Sequence, residues 1–159
     1  MARILVIYDS RTGNTEKMAS AVAKGAEQIV GVHVVLKKID QATLEDLTEA
    51  EGIIMGSPTY YGQMSGKMKT FVDQTNKIHG KLRGKVGGAF TSSGDTACGA
   101  ETTLFSMLQT MLIHGMIIQG RYDNKHYGAT SVGVPSEKEI ESCKELGKRI
   151  ADLTVKIHG

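Results

Sequence analysis

The sequence predicts an α/β fold in which five parallel strands form one open, doubly wound sheet in the order 2-1-3-4-5, with helices on both faces. Three observations lead there. Five short aliphatic runs, Arg3 to Tyr8, His33 to Lys38, Gly52 to Gly56, Val86 to Thr91 and Met116 to Gly120, have the length and apolar character of strands buried on both faces. Segments with apolar residues at helical spacing alternate with these runs. Joined by right-handed crossovers, such an alternation makes a parallel sheet covered on both sides.

The first helical stripe is Met18, Val22, Gly25 and Ile29, ending near Gly31. Thr43-Leu44-Glu45-Asp46 reads as a capping box with Asp in its closing position, opening a short second helix. Met64, Met68, Phe71 and Val72 mark the third stripe, and Leu104, Leu108, Met111 and Leu112 the fourth. Pro135, Ser136 and Glu139 open the last helix, whose face is Ile140, Cys143, Leu146, Ile150, Leu153 and Ile157. Between the fifth strand and that helix, Arg121 to Gly133 reads as a long loop.

Composition narrows the function classes. With 159 residues, 40% hydrophobic and 23% charged, the chain suits a single domain spanning residues 1–159 with one adequate core. No apolar run approaches the roughly 20 residues of a membrane-spanning helix, so no membrane insertion is expected. The net charge of +2 comes from scattered Lys and Arg, which argues against a nucleic-acid partner. Cys98 and Cys143 form no CxxC and have no clustered His partners, so neither a disulfide framework nor a metal site is signalled. The amino terminus runs directly into the first strand with no signal-peptide pattern, and a cytoplasmic setting is expected.

In a doubly wound sheet, ligands sit beyond the carboxyl ends of the strands where the winding reverses. Three loops meet that criterion. Ser10, Arg11, Thr12, Gly13, Asn14 and Thr15 follow the first strand and open a helix. Their hydroxyls and N–H groups gather at a helix tip carrying partial positive charge, which makes an anion cradle. It is no Walker loop, because no Lys follows Gly13, and no GxGxxG occurs in the chain. A terminal monophosphate held without metal fits best; plain helix capping by Ser10 or Thr12 is the alternative. In the second loop, Pro58, Thr59, Tyr60, Tyr61 and Gly62 offer a tyrosine shelf on which a flat ring can stack. The third loop offers Ser92, Ser93, Gly94 and Asp95, whose peptide groups can read the polar edge of that ring. His114, at the end of the fourth stripe, is a further cofactor contact or a helix cap. Cradle, shelf and edge-reader together describe a site for a phosphorylated planar heterocycle.

These residues resemble a known family. Ser10 to Thr15 is similar to the flavodoxin phosphate signature. The stretch Gly56 to Thr75, with Glu101-Thr102-Thr103-Leu104 and His114-Gly115-Met116-Ile117-Ile118, resembles the tryptophan-repressor-binding-protein family of flavodoxin-like NAD(P)H:quinone oxidoreductases. The resemblance implies bound FMN, with its phosphate in the first loop, its isoalloxazine near Thr59, Tyr60 and Tyr61, and its pyrimidine side near Ser92, Ser93 and Gly94. It implies electron flow from NAD(P)H to a quinone-like small molecule, and a homodimer or homotetramer. A flavodoxin-type carrier serving redox protein partners is the alternative. Neither route requires a side-chain acid or base, so no catalytic residue is assigned. Members of that family run to roughly 200 residues and place a Trp near the flavin, whereas this chain is shorter and has no Trp. The resemblance also covers Tyr127-Gly128-Ala129, implying a flavin cover or a subunit contact, and Met107, Met111 and Ile113 are read as core or as an apolar patch toward a neighbour.

Overall fold

The computed structural model describes residues 1–159 and turns the sequence periodicity into three layers. Strands β1 (Ala2–Tyr8), β2 (Val32–Lys38), β3 (Gly52–Pro58), β4 (Val86–Ser93) and β5 (Ile117–Ile118) lie in the order β2-β1-β3-β4-β5, all parallel. Alternate residues of the central strands serve opposite faces. Leu5, Ile7, Ile53 and Met55 join one core with α2 (Leu44–Glu49), α3 (Gly66–Gln74) and α4 (Ala100–Ile113). Ile4, Val6, Tyr8 and Ile54 join the other, with α1 (Asn14–Ala26) and α5 (Glu137–His158). Two separately buried faces explain why β1, β3 and β4 show no alternation in sequence, whereas the edge strand β2 has no buried residue, contrary to the expectation for His33 to Lys38, because only one of its edges is paired.

Caps close the helices as their sequences specify. The Thr43 hydroxyl accepts the Asp46 N–H and Asp46 accepts the Thr43 N–H, so the box works with Asp in its closing position. Ser136 and Glu139 do the same for α5, and the second Glu139 oxygen accepts the N–H of Val132 at 2.9 Å. Burial alone raises the Glu139 carboxyl, but the donors from Ser136 and Val132 hold it below the ordinary value.

The fifth strand differs from expectation. Only Ile117 and Ile118 pair with β4 in the Met116–Gly120 run, and pairing resumes at a sixth strand, β6 (Ala129–Val132), inside the segment read as a loop. The offset between partners is 31 at Val86–Ile117 and 39 at Phe90–Ala129, so eight residues are extruded from an otherwise continuous edge strand. Ala129-Thr130-Ser131-Val132 is too short and too polar to announce itself as a strand. Its pairing partner Phe90 to Ser93 decides the matter. Two helix faces also shift. Met107 and Met111 are buried on α4, whereas Leu112 is 58% exposed and Ile113 75%. Helix α1 stops at Ala26, leaving Ile29 in the turn that follows.

Candidate functional site

Strand ends bring the three loops together. Tyr8 is level with Gly56 on β3, and Pro58 with Ser92 on β4, so the loops leave adjacent strands on the same edge. Hydrogen bonds then lock them. The hydroxyls of Thr15 and Ser92 share a bond at 2.8 Å, joining the first turn of α1 to the end of β4. The Thr59 N–H donates to the Ser92 carbonyl at 2.8 Å, and the Thr59 and Thr91 hydroxyls pair at 2.9 Å. Ser92 is therefore the joint between all three loops. A Cβ on Gly99 would stand 2.7 Å from Gly62 Cα, so the second and third loops also touch backbone to backbone.

In the first loop the Ser10 hydroxyl accepts the N–H groups of Gly13 and Glu16, both at 3.2 Å, so the capping role is real. The N–H groups of Thr12, Asn14 and Thr15 donate to no protein acceptor. Gly13 adopts φ 97, a left-handed turn that a side chain rarely takes, and the space above it is open. Arg11 and Thr12 are exposed. Consecutive amides aimed from a left-handed turn and a helix start form a concave donor set, and the donors and the space both suit a phosphate. The buried Thr15 hydroxyl shares its bond with Ser92, while the Thr15 amide has no protein acceptor.

The second loop is a tight hairpin. Tyr60 and Gln63 exchange backbone bonds across Tyr61 (φ 51) and Gly62 (φ 74), two left-handed residues in succession. This turn leaves Tyr61 fully exposed and Tyr60 40% exposed, an aromatic shelf with no protein ring upon it. Its base is held by Ser57, whose hydroxyl accepts the Ser65 N–H at 2.8 Å, with Pro58 buried beside it. In the third loop Ser93 is buried and donates to the Asp95 carbonyl at 2.9 Å, while Gly94 and Asp95 face solvent. The Asp95 carboxylate accepts the Thr96 N–H at 2.7 Å.

His114 is not brought to this group. It ends α4 at the opposite edge of the sheet, the length of β4 away, roughly 25 Å for eight strand residues. Its Nε2 meets the Thr75 hydroxyl at 2.7 Å, and its Nδ1 is buried without a partner. An antiparallel helix returning from the site necessarily carries its last residue away from it. Burial lowers the His114 pKa below 6.5, and the nearby His79 lowers it further. The unfolded chain therefore takes up a proton that the folded chain resists. Stability is complete above pH 6.5 and declines as pH falls through that value, and His114→Gln is expected to flatten this slope in urea unfolding at pH 7.5 and 5.5.

Two features had no sequence signal. Tyr8, buried at the end of β1, donates to Glu16 at 2.9 Å and ties the cradle helix to its strand; burial and that carboxylate raise its pKa. A cavity of about 620 Å³ lies beyond the third loop, between the start of α4 and the extruded segment. Of the residues the sequence offered for the site, Ser93 and Asp95 line it, as do Tyr127 and Gly128 of the segment read as a flavin cover or subunit contact.

Known proteins are similar to this chain in sequence and in fold. The sequence profile of the flavodoxin family matches residues 6–129. A protein of Aquifex aeolicus (strain VF5) named flavodoxin is 44% identical over 160 aligned residues, covering 96% of this chain and 86% of that protein. An NAD(P)H dehydrogenase (quinone) of Archaeoglobus fulgidus is 40% identical, covering 99% of this chain and 100% of that protein. Its alignment spans 191 positions against the 159 residues here, so it carries about 30 residues that this chain lacks. The crystal structure of the flavodoxin, WrbA-like protein from Agrobacterium tumefaciens superposes with a TM-score of 0.86 over 99% of both chains, at 28% identity. A profile match over most of the chain and relatives at 40% and 44% along nearly all of it make this protein a member of the flavodoxin family of FMN-binding oxidoreductases.

Proposed function

We propose that the protein binds FMN in the groove between its three loops and uses it to pass electrons from NAD(P)H to a quinone. The observation that carries this reading is the cradle: three unpartnered amides around left-handed Gly13, locked through Thr15 and Ser92 to the loop beneath the tyrosine shelf. When bound, FMN supplies a ring that accepts hydride and gives up two electrons. The chain's own residues bind and orient. Thr12, Asn14 and Thr15 hold the phosphate through N–H donors, each charge-assisted bond contributing about 1.5 to 3 kcal/mol. Tyr60 and Tyr61 offer their faces to the ring, and the exposed peptide groups at Gly94 and Asp95 offer polar contacts to its edge. The balance needs no protein acid or base. NAD(P)H gives a hydride, solvent gives a proton, and the quinone leaves as a hydroquinone with two electrons and two protons gained.

A one-electron carrier between proteins is the second reading. It is favoured by the 160-residue alignment with the relative named flavodoxin, against 191 and 200 positions for those named NAD(P)H dehydrogenase (quinone). Anaerobic stopped-flow mixing of FMN-loaded protein with NADH and NADPH separates the two. The enzyme reading expects flavin bleaching faster than about 1 per second, and slower bleaching with both nucleotides would overturn it. A homodimer or homotetramer is part of the proposal, supported by the exposed stripe Phe105, Leu112 and Ile113 along α4. Light scattering is expected to give a multiple of 17.1 kDa, and a single species at that mass would refute assembly. No helix is long and apolar enough to cross a membrane. Two free cysteines accord with the cytoplasmic setting proposed.

A further inference from the structure

Asp9 carries a charge that no contact within the fold answers. It follows the last residue of β1 and is only 7% exposed, yet its carboxylate accepts no hydrogen bond and joins no ion pair. Its backbone N–H donates to the Gly56 carbonyl at 3.0 Å. The residue therefore stands where β1 meets β3, one position before the cradle and beside the strand that leads into the tyrosine shelf. A buried carboxylate without donors is costly, and a ligand that brings donors removes the cost. The side-chain polar atoms that are both sealed from solvent and unpartnered are Arg3 Nε, His114 Nδ1 and Arg149 Nε. The Asp9 oxygens, unpartnered but not sealed, keep contact with solvent at the carboxyl edge of the sheet.

The chemistry of the missing donors is narrow. A phosphate in the cradle brings none, and as a like charge it opposes the carboxylate, so Asp9 is no part of the anion site. A cation joining the two would need further ligands, and the chain gathers no group of three His, Cys, Asp or Glu side chains. The free amides of Thr12, Asn14 and Thr15 are taken by the phosphate in the proposed site. Neutral hydroxyl groups remain, and a carboxylate accepts several of them. In FMN the hydroxyl groups lie on the five-carbon chain that links phosphate to ring, and Asp9 lies between the loops assigned to those two ends.

We infer that Asp9 reads the hydroxyl groups of that linking chain and so selects a hydroxylated flavin phosphate over one with a bare alkyl chain. The inference rests on the cofactor-groove reading. The test is isothermal titration of the apoprotein, with and without EDTA, using FMN and a flavin bearing an unbranched phosphopentyl chain, which keeps ring, phosphate and spacing but has no hydroxyl. FMN is expected to bind at least about tenfold more tightly, because the other flavin leaves the carboxylate unpaired. Asp9→Ala is expected to weaken FMN at least about tenfold, while the phosphopentyl flavin binds as it does to the parent or more tightly, since the opposing charge is gone. Asp9→Asn, which keeps the shape and one acceptor, is expected to fall between. Both apoprotein variants are expected to unfold at the parental temperature or above, which a structural role for Asp9 would not give. Equal affinity of the parent for the two flavins, undiminished FMN binding in Asp9→Ala, or equal losses for both flavins would each overturn the inference and leave the cradle standing. A preference abolished by EDTA would place a cation at Asp9 and overturn it as well. Failure of the parent to bind either flavin would overturn the groove reading and this inference with it.

Discussion

Asn14→Asp is expected to lower FMN affinity at least about 100-fold while leaving the apoprotein as stable as the parent or more so. Asn14 is the first residue of α1, beside three amides that lack protein acceptors. A carboxylate there is nearly isosteric, so geometry is preserved. In the proposed site it would stand at the first turn of α1 beside a phosphate carrying about 1.5 to 2 negative charges. At about 4 Å and an effective dielectric near 20, one such pair of charges is worth about 4 kcal/mol, more than the roughly 2.7 kcal/mol of a hundredfold change. The same carboxylate favours the positive end of the helix by about 0.3 to 1 kcal/mol, which separates lost binding from lost folding. Isothermal titration with FMN and thermal unfolding of the apoprotein are the two readouts. A dissociation constant within tenfold of the parent would place the phosphate elsewhere.

Gly25→Ala and Gly147→Ala are each expected to destabilise the fold by about 3 kcal/mol, at the upper end of ordinary overpacking. On an exposed helix face the same change adds about 1 kcal/mol of helix propensity, so the expected sign is reversed by packing. Where α1 crosses α5, a Cβ on Gly25 would stand 1.9 Å from the Lys144 carbonyl oxygen, and one on Gly147 would stand 1.9 Å from that of Val22. Each glycine admits the other helix's backbone, and no side-chain rotation relieves the clash. For a chain of this size Tm falls by roughly 2 to 4 °C per kcal/mol, so a drop of about 10 °C is expected. The double variant is expected to cost less than the sum, because the first methyl already forces the helices apart. An unchanged or raised Tm in either single variant would refute the crossing.

Legibility in the sequence followed the range of the interaction. The Thr43 and Ser136 caps were plain because both partners lie within four residues. The cradle reading of Ser10 to Thr15 rested on neighbours in the chain, hydroxyls and N–H groups at a helix start, and the left-handed turn at Gly13 came only with the structure. Gly25 could be placed on a stripe, but nothing local showed that Lys144 would press against it. Thr15 could be placed in the cradle, but the commitment of its hydroxyl to Ser92 spans 77 positions. The helix-end reading of His114 held, since it is the C-cap residue of α4; the direction of α4 relative to the sheet carried it to the far edge, away from the three loops.

From the sequence by itself came the order of strands and helices, the burial of both sheet faces and the donor set at the start of α1, because hydrophobic period and backbone capping are properties of neighbouring residues. Tertiary structure alone decided the break in the edge strand, the cavity that break creates and the two-glycine crossing of α1 and α5. These depend on register and on the approach of backbones distant in sequence, which no local pattern encodes.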